Sequence, residues 1–206
     1  QAIAIQLVAG AIQNLSGALR LRHAFDWHTG LRPNLIRLVF MPVGVAVLVA
    51  AKGLDPAIVK QMVGVLILLF LILLVTGHIR PREHLHVAWE WLAMSTGGFL
   101  LGFCGMGGPP IVMWIAAQGW AGDKARAFMF HAFTFTLLPM GLLLVGSFGR
   151  EVIDPARQAL LALPWSYLGA LIGLRLGAAM SDQRLRRITF GLLVTIAVTT
   201  SIGPWL

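Results

Sequence analysis

The sequence predicts an all-α integral membrane protein with about seven spanning helices plus a broken or re-entrant helical hairpin, arranged as an inverted repeat. Three observations predict this. The 206 residues are 58% hydrophobic and 12% charged, against roughly 25% charged in an average soluble domain. The charges leave uninterrupted stretches at 1–19, 61–79, 127–149 and 188–206, each near the roughly 20 residues that cross a hydrocarbon core. The longest stretch, 91–122, exceeds one span and carries a glycine-proline cluster.

Taken in order, spanning helices are expected at about 1–19, 35–51, 58–77, 86–104, 127–148, 158–180 and 187–205, with a shorter helix at about 109–120. The helices at 35–51 and 158–180 become spans once Arg37 and Arg175 extend their guanidinium groups to the interface, the default behaviour of a cation near a helix end. Turn residues punctuate the connections: "LRPN" at 31–34, "KGLDP" at 52–56, "HIRPRE" at 78–83, "AGDK" at 121–124, "VIDP" at 152–155 and "MSDQR" at 180–184. No linker is long enough to separate soluble domains, so 1–206 reads as a single membrane domain.

Two halves repeat weakly. A shift of 127 residues lays "DPAIVKQMVG" (55–64) on "DQRLRRITFG" (182–191), and sets Pro42, Ala46 and Ala50 on Gly169, Gly173 and Gly177. That spacing of four keeps small residues on one helix face, where backbones approach closely in lipid. Residues 1–80 form an incomplete first repeat and 86–206 a second. The register places the first-half counterpart of 97–127 upstream of Gln1, and the chain is expected to be N-terminally incomplete.

The break decides the topology. If 86–120 enters and returns as a hairpin, one side holds Arg20, Arg22, Arg32, Arg80, Arg82, Lys124, Arg126, Arg184, Arg186 and Arg187, and the other only Lys52, Lys60, Arg150 and Arg157. A single crossing would instead divide the same cations evenly. The asymmetric count is the positive-inside pattern and favours the hairpin, which inverts the second half. The result is an inverted-repeat transporter architecture.

Non-helical backbone at membrane depth must be buried in protein or line a cavity, because unpaired amides in lipid cost several kcal/mol each. In "GFCGMGGPPIVMW" (102–114), Gly105, Gly107 and Gly108 permit sharp geometry around Met106, and Pro109 and Pro110 suit the first turn of the next helix. A helix starting near Pro110 would aim free N–H groups of Ile111, Val112 and Met113 into the interior. Such an end attracts anions. The alternative is a tight packing turn without a ligand.

"GGFLLGFCGMGGPPIVMW", followed by "KARAFMF" and "YLGALIGLRLGAAMSDQRLRRITFGLLV", resembles the sulfite exporter TauE/SafE (TSUP) permease family over essentially the whole chain. The G-x-G-G-x-P element reads Gly105, Gly107, Gly108 and Pro110. The family carries a related element in its first half, which this chain lacks, in agreement with the repeat. The resemblance implies an inner-membrane, multi-pass permease for small sulfur-containing anions such as sulfite or organosulfonates. The expected substrate-binding set is Gly105, Met106, Gly107, Gly108, Pro109, Pro110 and Ile111, with Gln13, His131 and Thr134, and the anion is held by backbone donors rather than by a buried cation.

Other residues carry two readings each. Gln6, Gly10, Gln13 and Gly17 make one polar, small face of the first helix, fit for interhelical hydrogen bonds or for lining a pathway. His131 and Thr134 share a face at i and i+3; the histidine either contacts an anion or proton, or donates to a nearby carbonyl. Glu90 could pair with Arg82 or reach water. Cys104, the single cysteine, is expected to pack rather than react.

The expected partners are a small sulfur-containing anion and the lipid bilayer, with a homo-oligomer left open; no cofactor, metal or nucleic acid is expected. The net charge of +8 lies in short loops without interleaved aromatics, a poor nucleic-acid surface. His84 and His86 are too few for a metal site. A membrane-embedded enzyme would need converging acids and bases that the spans do not supply. A non-transporting scaffold subunit is the remaining alternative.

Overall fold

The computed structural model describes residues 2–76, 85–120, 122–179, 191 and 195. Among them the secondary structure is helical throughout: α1 (Ala2–Arg20), α2 (Trp27–Ala50), α3 (Pro56–Thr76), α4 (Val87–Cys104), α5 (Gly108–Gln118), α6 (Gly122–Phe148) and α7 (Arg150–Ala179), with short 3₁₀ turns at Arg22–Ala24 and Ala51–Gly53. Arg80, Arg82, His84, Arg184, Arg186, Arg187 and most of the helix expected at 187–205 lie outside the described residues, as do the side chains of Lys60 and Arg175. The helices form two compact units, Gln1–Val49 with Ile79–Leu168, and Ala50–His78 with Gly169–Leu206.

Three helices start well before the positions expected for them. α2 begins at Trp27 rather than 35, α6 at Gly122 rather than 127, and α7 at Arg150 rather than 158. The turns expected at "LRPN" and "VIDP", and Gly122–Lys124 of "AGDK", are therefore helical, and Pro33 and Pro155 sit inside α2 and α7. Local capping outweighs the proline. At the head of α2 the Asp26 carboxylate accepts the His28 N–H at 3.0 Å and the Thr29 hydroxyl at 3.0 Å, and the Gly30 N–H donates to the Asp26 carbonyl at 2.9 Å. These are the bonds that open a helix. The break between α6 and α7 falls at Gly149, left-handed at φ 57°, whose N–H donates to the Val145 carbonyl at 2.8 Å.

The Thr29 hydroxyl and the His28 amide hold the Asp26 carboxyl below the usual carboxylate range. A depressed carboxylate pKa adds stability above the unfolded-state pKa, and that stability is lost as pH falls through the folded value. The expected result is that Asp26→Ala lowers the melting temperature at neutral pH. The gap from wild type should close on strong acidification, as read by circular dichroism across a pH series.

In the first unit, α2 has two opposed faces. Pro33, Asn34, Arg37, Met41, Gly44 and Val45 are buried, whereas Leu31, Leu35, Val39, Val43 and Val47 form an exposed apolar stripe at spacings of four. α6 likewise exposes Leu138 and Leu142, 72% and 65% accessible. Such stripes suit lipid rather than water. α2 and α4 meet through glycine: a Cβ added at Gly98 would overlap the Arg37 carbonyl, one at Gly102 the Met41 carbonyl, and one at Gly44 the Phe99 carbonyl. Among the described residues, Trp27–Gly53 and Gly122–Phe148 are each long and apolar enough to cross a membrane unaided.

α5 turns back along α4. A Cβ on Gly97 would lie 3.2 Å from the Gly107 carbonyl and 3.4 Å from Ile111 Cγ1, two contacts that need antiparallel neighbours. The 11 residues of α5 rise about 16 Å, roughly half a hydrocarbon core. Met94, Ile111, Trp114, Ala127 and Phe128 then pack in one core cluster, and Ala4, Met41, Leu101 and Met140 in another.

In the second unit α3 is capped by Asp55, whose carboxylate accepts the Ala57 N–H at 2.8 Å. It exposes Ile58, Met62, Val65, Leu69 and Ile72 along one side.

Candidate functional site

The break is built from the end of α4. Gly105 is left-handed at φ 77°, a conformation that costs glycine nothing and other residues about 1 kcal/mol or more. Its N–H donates to the Leu101 carbonyl at 2.9 Å, and the Met106 N–H donates to that of Leu100 at 3.3 Å. From α1, Gln6 Nε2 donates to the Gly105 carbonyl at 3.3 Å. Gln6 is thus the residue of the polar α1 face that reaches the break. Gln13 is exposed, and its carbonyl accepts the Ser16 hydroxyl at 3.1 Å.

α5 begins at Gly108, with Pro109 and Pro110 in its first turn. The ladder of a helix that starts there opens with Ile111 donating to the Gly107 carbonyl, and Val112 and Met113 follow. The amides of Ile111, Val112 and Met113 are therefore spent inside the helix, which corrects the expectation that they are free. The prolines have no N–H, so the donors left at this end are Gly107 and Gly108. Gly107 is held close: an added Cβ would lie 2.5 Å from the Gly97 carbonyl, 2.9 Å from Leu101 Cβ and 3.3 Å from Arg37 Nη2. At Gly108 it would meet only Phe133 Cζ, at 3.7 Å.

Arg37 overturns its expected orientation. It does not reach an interface; it is 0% exposed. With α2 starting at Trp27, the guanidinium belongs to a position about 15 Å along the helix, on the buried face opposite Val39. Its Nε, Nη1 and Nη2 have no hydrogen-bond partner. Its Cζ lies 5.3 Å from the Phe133 ring centroid, and its Nη2 abuts Gly107. A cation–π contact returns about 0.5–2 kcal/mol, whereas an unpaired buried charge costs several. The arrangement is one that an anion would stabilise.

His131 and Thr134 lie elsewhere on α6. His131 is buried, with Nδ1 2.8 Å from the Ala127 carbonyl and its ring stacked on Phe25 at 4.0 Å. Thr134 donates to the Phe130 carbonyl at 2.7 Å. The α6 residue at the break is Phe133, two positions from His131 and so on nearly the opposite side of the helix. Cys104 Sγ contacts the Leu100 carbonyl at 3.2 Å. Glu90 pairs with Arg32 Nε at 3.3 Å, an ionic contact without hydrogen-bond alignment, and Arg82, the other partner considered for it, lies outside the described residues. His86 caps α4 by accepting the Ala88 N–H at 3.2 Å.

Sequence reasoning missed Arg37 and Phe133 as neighbours of the break, together with two more buried polar atoms that lack a partner, Asn34 Oδ1 and Trp114 Nε1. The signal for Arg37 was present. Pro33, Arg37, Met41 and Val45 fall at steps of four, out of phase with the all-apolar row Leu35, Val39, Val43 and Val47.

The family model for the sulfite exporter TauE/SafE matches residues 1–200. The chain belongs to the sulfite exporter TauE/SafE family. No curated protein and no solved structure matches it. TauE/SafE membership makes it a membrane transport protein of the TSUP permease type, which accounts for the apolar stripes on α2 and α6. The glycine-proline element that resembles the family's is, in this TauE/SafE chain, the junction of α4 and α5.

Proposed function

We infer that the protein is a secondary permease of small sulfur-containing anions, such as sulfite or organosulfonates. It works by alternating access in the inner (plasma) membrane, crosses it about seven times, and is organised as an inverted repeat of 1–80 and 86–206. The substrate binds at the α4–α5 junction, Gly105 to Ile111. The observation that carries the reading is the start of α5 at Gly108, turned back along α4 and packed beside Arg37 in a TauE/SafE chain. The helix end contributes roughly half a positive charge and two amide donors to an anion. Gln6 and Gly105 anchor the backbone that presents them. Gln13, His131 and Thr134 stand outside this set.

The test is flux. Purified protein in proteoliposomes is expected to move radiolabelled sulfite or a small sulfonate down its gradient, well above protein-free vesicles. A rate equal to that of protein-free vesicles for every sulfur anion tried would leave a scaffold subunit as the better account.

A further inference from the structure

We propose that Arg37 is the fixed counter-charge of this site and that it selects a singly charged oxyanion, a sulfonate or hydrogensulfite, over a dianion such as sulfate. The proposal rests on the transport reading and adds a residue and a charge rule to it. A site held by backbone donors alone, as expected from sequence, omits this guanidinium. The side chain is 0% exposed, its three nitrogens have no partner, and Nη2 lies 3.3 Å from the position a Gly107 Cβ would take. Two independent features therefore converge on one place: the end of α5 with the Gly107 and Gly108 amides, and a buried fork of N–H donors aimed at it. The planar fork matches two oxygens of an oxyanion.

Desolvation sets the valence. Arg37 contributes one positive charge and the helix end roughly half of one, so a monoanion leaves about half a positive charge and a dianion about half a negative one. The cost of stripping water from the ligand rises with the square of its charge, whereas its attraction to the fixed site charge rises only in proportion, so in a low-dielectric site the dianion is the poorer ligand. Among the described residues, the elements around Arg37 bring no second ionisable group to alter the balance. α1 has none between Ala2 and Leu19, and α5 has none. On α4, Glu90 is engaged with Arg32 and the Cys104 thiol with the Leu100 carbonyl. On α6, His131 turns to the Ala127 carbonyl, and Asp123 pairs with Arg126 at the exposed start of the helix. Nearer on α2, His28 and Arg32 are exposed. Phe133 closes the site with an apolar ring, which suits the carbon substituent of a sulfonate.

Calorimetric titration of the purified protein with methanesulfonate, sulfite and sulfate tests this. Wild type is expected to bind methanesulfonate at least about tenfold more tightly than sulfate, the order of a dianion's extra desolvation in a partly buried site. Sulfite affinity should rise as pH falls and hydrogensulfite accumulates, while methanesulfonate affinity stays level. Arg37→Gln should lose roughly 10- to 100-fold for methanesulfonate, the scale of charged hydrogen bonds, and Arg37→Lys should fall between. Because removing an unpaired buried charge relieves desolvation, Arg37→Gln is expected to keep its helical circular dichroism. Should it misfold, the wild-type ratio of methanesulfonate to sulfate still decides the charge rule. A folded Arg37→Gln with wild-type affinity, or wild type binding sulfate as tightly as methanesulfonate, would overturn the proposal and leave the transport reading standing. Absence of binding by wild type to all sulfur anions would overturn both.

Discussion

Gly98→Leu is expected to abolish folding of the first unit. A Cβ at Gly98 would overlap the Arg37 carbonyl and lie 2.9 Å from the Arg37 Cα. These are backbone atoms of the middle of α2, which cannot rotate away as a side chain could. α2 would have to separate from α4 along its length, since Gly102 and Gly44 make the same kind of contact one turn further on. Small residues at steps of four are the usual means by which helices touch in lipid, where no hydrophobic drive compensates for lost packing. The cost of overpacking here should reach at least about 3 kcal/mol, and Gly98→Ala should lose a smaller share. Gly146 serves as the control, because a Cβ there meets nothing within 4 Å. Gly146→Ala should leave yield, monodispersity in detergent and melting temperature near wild type. A monodisperse Gly98→Leu protein with wild-type melting would show that the α2–α4 contact is not tight.

Helix identity was legible in the sequence because charge-free runs mark the apolar cores of helices. Helix ends were not, because a span continues past its apolar core wherever a cap supports it. Asp26 is that cap for α2, and the Pro33 expected to end a turn is carried inside the helix. This single shift of start, from 35 to Trp27, turned Arg37 from a terminal residue free to reach water into a central one buried on the packed face. The error at the site was therefore an error of register rather than of chemistry. The break itself was legible, since Gly105, Gly107, Gly108 and the two prolines have few other uses in an apolar run. What stood against it was not. Gln6, Gly97 and Phe133 come from segments about 10 to 100 positions away in sequence, and local pattern carries no information about such partners. His131 drew attention as a polar residue in a span, yet its ring lies in an aromatic stack and its Nδ1 on its own helix.

The two glycines before Pro109 should respond differently to one added methyl group. At Gly107 a Cβ would press on the Gly97 carbonyl and Leu101 Cβ and crowd Arg37 Nη2, so Gly107→Ala must push α5 away from α4 and shift the guanidinium together with the amide beside it. At Gly108 the nearest atom is a Phe133 ring carbon at 3.7 Å, an ordinary van der Waals distance, and the backbone needs no positive φ. Both variants keep every amide donor. A site that depended only on the presence of N–H groups would thus treat them alike, whereas one that depends on the close approach of α5, α4 and Arg37 would not. Overpacking at a rigid contact costs about 1–3 kcal/mol. Sulfite or sulfonate flux in proteoliposomes is therefore expected to fall at least roughly tenfold for Gly107→Ala, and to stay within about twofold of wild type for Gly108→Ala, where the added methyl finds room. Equal loss in both would place the requirement on chain flexibility at the double glycine instead. Equal retention would move the substrate away from the α4–α5 junction.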